Sequence, residues 1–162
     1  MNIETVRPER AEDFDAVRQV LLAAFETDGE ARLVEALRRS DAFLPDLSVV
    51  AEHDGAVAAY ALLSRITVGD DAGLALGPVA VLPDLQKRGL GAAVIREALR
   101  RAADAGERLV LVLGDPAYYG RFGFVPAAPY GITSEWSSFG DAWQVLALGT
   151  VEARYPAPWH DL

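Results

Sequence analysis

The sequence predicts an α/β (α+β) fold: one mixed, mostly antiparallel sheet of about seven strands with helices on its faces. Three stretches predict it. Residues 47–53 and 56–68 are apolar, strand-forming runs joined by Asp54-Gly55, a pair suited to the positive φ angles of a two-residue hairpin turn. Residues 90–105 put Val94, Ile95, Ala98, Leu99 and Ala102 on one helical stripe and Arg96, Glu97, Arg100 and Arg101 on the other, with Gly106 as a stop. Residues 108–113 (RLVLVL) are almost wholly apolar, as a strand covered on both faces requires.

The other elements follow in order. Residues 2–7 alternate like a short strand and stop at Pro8. Over residues 9–25, Phe14, Val17, Val20, Leu21 and Ala24 recur at helical spacing. Thr27-Asp28-Gly29 interrupts, and Ala31, Val34 and Leu37 mark a second helix; residues 41–46 read as a loop. After the hairpin, Gly69-Asp70-Asp71 turns the chain into a strand over 74–82. A helical turn is expected over 116–122 and strands over 130–135 and 143–148. Trp136, Phe139 and Trp143 are candidates for lining an acceptor pocket, but aromatics of late strands are more often core, and they read as core here. The tail from Tyr155 to Leu162 is broken by Pro156 and Pro158 and is expected to lie across the surface. The order is β-α-α-β-β-β-α-β-α-β-β without repeat or linker, so residues 1–162 are expected to form a single domain.

Composition narrows the function. Hydrophobic residues make up 51% and charged residues 24%, the balance of a packed globular chain. With no cysteine, a thiol nucleophile, a thiolate metal site and a disulfide framework are excluded. Two distant histidines give no metal-ligand spacing, so no metal is expected. Fifteen basic and 24 acidic residues leave a net charge of −9, which repels phosphate backbones; it would draw in cationic amines, but such a surface more often serves only to keep a chain soluble. Nucleic acid is therefore not an expected partner. The start MNIETVRPER lacks the apolar segment of a signal peptide, and no apolar run approaches a membrane span, so a cytoplasmic location is expected.

One segment carries chemistry. From Val79 to Ala93 the pattern is strand, turn, glycine-bearing loop, helix. The first turn of a helix has backbone N–H groups without intrahelical partners, and the macrodipole adds partial positive charge there. Glycines let an anion approach the backbone, and Lys87 and Arg88 put a basic spot on an acidic chain. Taken alone, such a segment is equally a plain helix entry with solvated basic residues. A Walker A loop is excluded because G-x-x-x-x-G-K-[ST] does not occur. A dinucleotide fingerprint is excluded because Val94 stands where its third glycine belongs.

Gln86-Lys87-Arg88-Gly89-Leu90-Gly91-Ala92 resembles the Q/R-x-x-G-x-G/A signature of the GNAT superfamily of acyl-CoA N-acyltransferases. The stretch from Leu113 to Phe124, containing Asp115-Pro116-Ala117-Tyr118-Tyr119, is similar to one carried by the YhbS-like branch of that family. The two motifs stand in the family's order, separated by a helix and a strand. The resemblance implies a sheet splayed between its fourth and fifth strands to admit acetyl-CoA as cosubstrate. It implies that the backbone of Val79, Ala80 and Val81 pairs with the pantetheine arm, and that the amides of residues 87–92 hold the pyrophosphate. Tyr119 would contact the cofactor and act as general acid to the departing thiolate, for which a phenol of pKa about 10 is protonated at neutral pH. Tyr118 is its rival, since adjacent tyrosines look alike in composition.

No base declares itself among Glu26, Glu30, Glu35, His53 and Asp84. His53 reads as an exposed turn residue, and His160 lies in the tail. Neutralising a lysine-like amine of pKa about 10.4 at pH 7 costs about 4.6 kcal/mol, against roughly 1 kcal/mol for an α-amino group. Glu30 is the choice, because the resemblance sets the first two helices beside the acceptor groove. Asp115 reads as a helix cap followed by proline at the first helical position. The expected function is transfer of acetyl to a primary amine, on a small molecule or a peptide, by a chain that is a homodimer in many relatives. A non-catalytic acyl-CoA-binding module and a domain acting only through protein contacts are the alternatives.

Overall fold

The computed structural model describes residues 3–148; Asn2, the proline-broken tail and His160 lie outside them. The chain runs β1 (Ile3–Pro8), α1 (Phe14–Ala24), α2 (Gly29–Arg38), β2 (Phe43–His53), β3 (Ala56–Val68), β4 (Asp71–Val81), α3 (Leu90–Asp104), β5 (Leu109–Leu113), α4 (Pro116–Tyr119), β6 (Val125–Pro126) and β7 (Trp143–Ala147), with short 3-10 turns between several of them. One sheet holds all seven strands in the order β1-β2-β3-β4-β5-β7-β6. Every neighbouring pair is antiparallel except β4 and β5, which are parallel. This is the mixed, mostly antiparallel sheet that the sequence predicts.

The two faces of the sheet are separate cores. Ala59, Ala61 and Leu63 of β3 point to the face under α3, where Leu90, Val94, Ile95, Ala98 and Ala102 meet them. Tyr60 and Leu62 point the opposite way, onto Val17, Val20 and Leu21 of α1 and Val34 of α2. The period of two along β3 and the stripe along α3 thus bury complementary surfaces.

Two expectations are corrected. Residues 43–46 belong to β2: Phe43 pairs with Ser64, and the register slips before Ser48 meets Leu62. Pro45-Asp46 therefore marks an irregular stretch of strand, not a loop. Residues 130–135 are no strand. Tyr130 ends a 3-10 turn and Gly131 takes a left-handed φ of 71°, which breaks the extended run. Ile132 still packs against the buried cluster of Leu111, Ala127, Trp143 and Val145, and its carbonyl accepts a hydrogen bond from Trp143 Nε1 at 3.3 Å. The remaining strand is β6, whose two residues pair with Gln144 and Val145 of β7.

A bulge in β4 opens the sheet. Between the pairs Leu63–Leu76 and Ala61–Val79, β4 has one more residue than β3. Gly77 (φ 145°) and Pro78 occupy the bulge, joined by a cis peptide bond. The side-chain parity flips across it: Leu74 and Leu76 face α3 before it, Val79 and Val81 after it. β4 pairs with β5 only at Leu74–Val110 and Ala75–Leu111, just short of the bulge. The two strands then diverge, as the resemblance implies.

A buried polar cluster ties α2 to the first strands. Arg38 Nη2 donates to Glu9 Oε2 at 2.5 Å, and Ser48 Oγ donates to Glu9 Oε1 at 2.7 Å. Ser48 Oγ lies 2.7 Å from Tyr60 Oη, with both residues fully buried. The Arg38 guanidinium lies over the Phe14 ring, and the Glu9 side chain is only 1% exposed. Removing one member of such a pair strands a buried charge. Arg38→Met is expected to lower unfolding free energy in urea by about 3–5 kcal/mol, with Glu9→Gln recovering part of the loss. Nearby, Arg7 donates to both oxygens of Asp13, at 2.7 and 3.0 Å, and holds that carboxyl below its ordinary pKa. A depressed native pKa contributes stability that is complete above the unfolded value near 3.9 and lost as pH falls through the native one. Asp13→Asn is therefore expected to flatten the loss of stability below about pH 4 in acid-unfolding curves.

Candidate active site

The loop between β4 and α3 presents backbone donors. Leu82 leaves the strand, Pro83–Leu85 make a 3-10 turn, and Gln86 Nε2 donates back to the Val81 carbonyl at 3.2 Å. Lys87 (φ 64°) and Gly89 (φ 89°) are both left-handed, which turns the backbone sharply into the helix. No side chain caps α3, and no acid stands in its first turn. Gln86, Lys87, Arg88 and Gly89 are exposed, whereas the Leu90 side chain is buried in the core. Lys87 and Arg88 make no ion pair among the described residues. The result is an uncapped, unneutralised helix N-terminus of 15 residues, open to an anion. Gly91 borders it: a Cβ there would stand 3.1 Å from Tyr118 Oη and 3.4 Å from Val81 Cγ2, so this position of the first turn is tight for any side chain.

The gap between β4 and β5 opens into a groove of about 1050 Å³. Residues 75–79 of β4, 111–113 of β5, Tyr119, and Glu30 of α2 all line it. Val79 therefore lines both the groove and the free edge of β4, while Ala80 turns its side chain to the α1 face and Val81 to the α3 face. Leu33 and Leu37 of α2, Ile66 and Val68 of β3, and Trp136 complete the walls.

Tyr119 is held from several sides. Asp115 Oδ1 accepts from Ala117 N at 2.9 Å, which makes it the cap of α4. Gly114 is anchored by its own N–H to Ala142 O and by Gln144 Nε2, from a fully buried side chain, to its carbonyl, both at 3.0 Å. The Tyr119 ring stands edge-on to Tyr118 and Phe124, at 5.0 and 5.9 Å between centroids. Burial, with a smaller contribution from Tyr118, pushes its phenol up to about 12. The two adjacent tyrosines separate here. Tyr119 faces the groove, and Tyr118 lies over Gly91 with the Arg121 guanidinium 4.5 Å from its ring.

Of the carboxylates and the histidine weighed as bases, Glu30 alone lines the groove among the described residues, where it is half-buried. Glu26 and Asp84 are exposed elsewhere, and Glu35 pairs with Arg18 at 2.5 Å. His53 is not an exposed turn residue: its side chain is 13% exposed at the end of β2, with Nε2 3.3 Å from Asp54. Trp136 and Phe139 are not core either, at 43% and 57% exposed, because the 3-10 turn that carries them lies outside the sheet; Trp143 is buried. The Gly77-Pro78 bulge has a sequence signal, a Gly-Pro pair inside a strand pattern, that went unused in predicting the groove.

The comparisons with known proteins agree with this geometry. The pattern of the acetyltransferase (GNAT) family matches residues 14–124. The chain is 34% identical over 145 residues to the uncharacterized N-acetyltransferase YhbS of Escherichia coli K12, covering 88% of this chain and 86% of that one. It belongs to the GNAT acetyltransferase family. The crystal structure of E. coli YhbS in complex with CoA superposes with a TM-score of 0.83 at 32% identity, over 90% of this chain and 81% of the other. A GNAT acetyltransferase from Brucella melitensis, in complex with acetyl-CoA, superposes with a TM-score of 0.74 at 34% identity, over 96% and 97%. No helix among the described residues is long and apolar enough to cross a membrane.

A Cβ at Gly114 would stand 2.4 Å from Tyr119 Cε2. Gly114→Ala is expected to displace that ring and to cost about 1–3 kcal/mol in thermal unfolding, with the ring shift visible in a crystal structure. Gly120→Ala, where a Cβ meets nothing within 4 Å, is the control with little effect.

Proposed function

We propose that this chain, as one N-acetyltransferase domain, moves acetyl from acetyl-CoA to a primary amine by direct attack. What carries the reading is the continuity between the free edge of β4 and the bare amides of α3, which fit an extended amide-bearing arm ending in a pyrophosphate. The relatives crystallised with CoA and acetyl-CoA support the same cosubstrate. In this reading the backbone of Val79, Ala80 and Val81 pairs with pantetheine. Gln86, Lys87, Arg88, Gly89, Leu90, Gly91 and Ala92 surround the pyrophosphate, Leu90 through its backbone alone.

The nitrogen lone pair attacks the thioester carbonyl carbon, a C–N bond forms, and the C–S bond breaks with its electrons on sulfur. Tyr119 Oη, on the groove wall where β4 and β5 part, donates to that sulfur. Its pKa of about 12 exceeds that of an ordinary thiol near 8.5, so full transfer to sulfur alone is uphill by roughly 5 kcal/mol. The strongly basic phenolate then recovers a proton from the nitrogen that has become cationic, and the net movement is from nitrogen to sulfur. Glu30, on the opposite wall, attracts the ammonium and accepts its first proton directly or through water.

Tyr119→Phe is expected to lower kcat for CoA release by roughly 10²–10⁴ while acetyl-CoA binding by calorimetry is retained. Retained kcat would assign the fold to acyl-CoA binding without this acid, and loss of binding would make Tyr119 a structural residue. Glu30→Gln is expected to shift the acidic limb of the pH–rate profile to higher pH, because the rate then waits on amine that is already neutral; an unchanged profile removes Glu30 as the base.

A further inference from the structure

Resting on the reading of the groove as the acceptor site, we infer that the acceptor is a monoamine whose single ammonium is carried on an aromatic or branched apolar body. The chain has 24 acidic residues, yet among the described residues Glu30 is the one charged side chain on the groove. The rest of the lining is uncharged: Phe25, Leu33, Ile66, Val68, Ile132 and Trp136 supply large apolar side chains, and Ser64, Thr67, Thr133 and Ser134 supply hydroxyls. A ligand with two or more ammonium groups would have to desolvate the second against these side chains with no counter-charge. A ligand with one meets Glu30 and offers the rest of its surface to apolar atoms.

The mouth of the groove points the same way. Leu33, on α2, is 48% and Trp136, at the start of the 3-10 turn that precedes β7, 43% exposed, so two large apolar side chains that line the groove are left partly in water. Covering them with an apolar body is favourable, whereas a thin polar chain leaves them wet. At about 1050 Å³ the groove stands at the upper end of small-molecule sites, with room for the acyl end of the cosubstrate and an acceptor side by side. Polyamines and polycationic antibiotics are thereby set aside in favour of arylalkylamine-like acceptors.

The test is equilibrium binding to the full chain saturated with CoA, using 2-phenylethylamine, tryptamine, n-butylamine and spermidine. The arylalkylamines are expected to bind roughly tenfold or more tightly than n-butylamine, and spermidine no more tightly than n-butylamine. Trp136→Ala and Glu30→Gln should each weaken tryptamine binding about fivefold or more while CoA affinity stays the same, which also reports an intact fold. Spermidine binding more tightly than tryptamine, or both variants leaving tryptamine affinity unchanged, would overturn the inference. CoA release from acetyl-CoA with the same amines is read in parallel. Tight tryptamine binding without release would overturn acetyl transfer and leave the acceptor class standing; release favouring spermidine would do the reverse.

Discussion

Past Ala75, the fourth strand has no neighbouring strand on one side, although it lies in the middle of the sheet. Backbone donors and acceptors in that position must find partners from water or a ligand. The bulge at Gly77-Pro78 creates the situation by turning β4 away from β5 and reversing which face each later side chain covers. An open edge in a sheet is ordinarily a hazard at the periphery. Here it is internal, flanked by the core under α3 on one face and by α1 and α2 on the other.

The rest of the molecule holds this opening in shape. The cluster of Glu9, Arg38, Ser48 and Tyr60 pins α2 to the first strands, and α2 is the element that carries Glu30 and Leu33 to the groove. On the far side, buried Gln144 of β7 holds the Gly114 carbonyl, and Asp115 starts the single turn that ends at Tyr119. The two candidate reacting side chains thus come from opposite walls, each fixed by hydrogen bonds remote from the groove itself. Another bidentate pair, Arg65 with Glu107 at 2.6 and 2.7 Å, locks β3 to the segment before β5.

The elements with strong local periodicity were legible in the letters. The hairpin turn lies at Asp54-Gly55, and α3 starts at Leu90 and ends at Asp104, one residue short of the expected 105. The loop glycines announced the uncapped helix entry, because Gly89 is needed where φ is positive. The region from residue 125 to 142 was not legible, since β6 exists only by pairing with β7 and Gly131 breaks the strand-like run that follows. Nor could composition separate Tyr118 from Tyr119; the difference is which ring the turn after Gly114 directs into the groove. The groove walls come from separate segments of ordinary apolar residues, which carry no local pattern marking them as a site.

Amide hydrogen exchange, with and without acetyl-CoA, measures the central claim at the atoms that carry it. Along the strand the N–H groups alternate: Leu82 donates to Ala58 of β3, as Ala80 must in its pair with Tyr60, and those of Val79 and Val81 face the free edge. The account predicts that saturating acetyl-CoA slows exchange at Val79 and Val81 together with Gly89, Leu90, Gly91 and Ala92, leaving Ala80, β1 and β2 unchanged. Exchange at both segments unaltered by acetyl-CoA would contradict it.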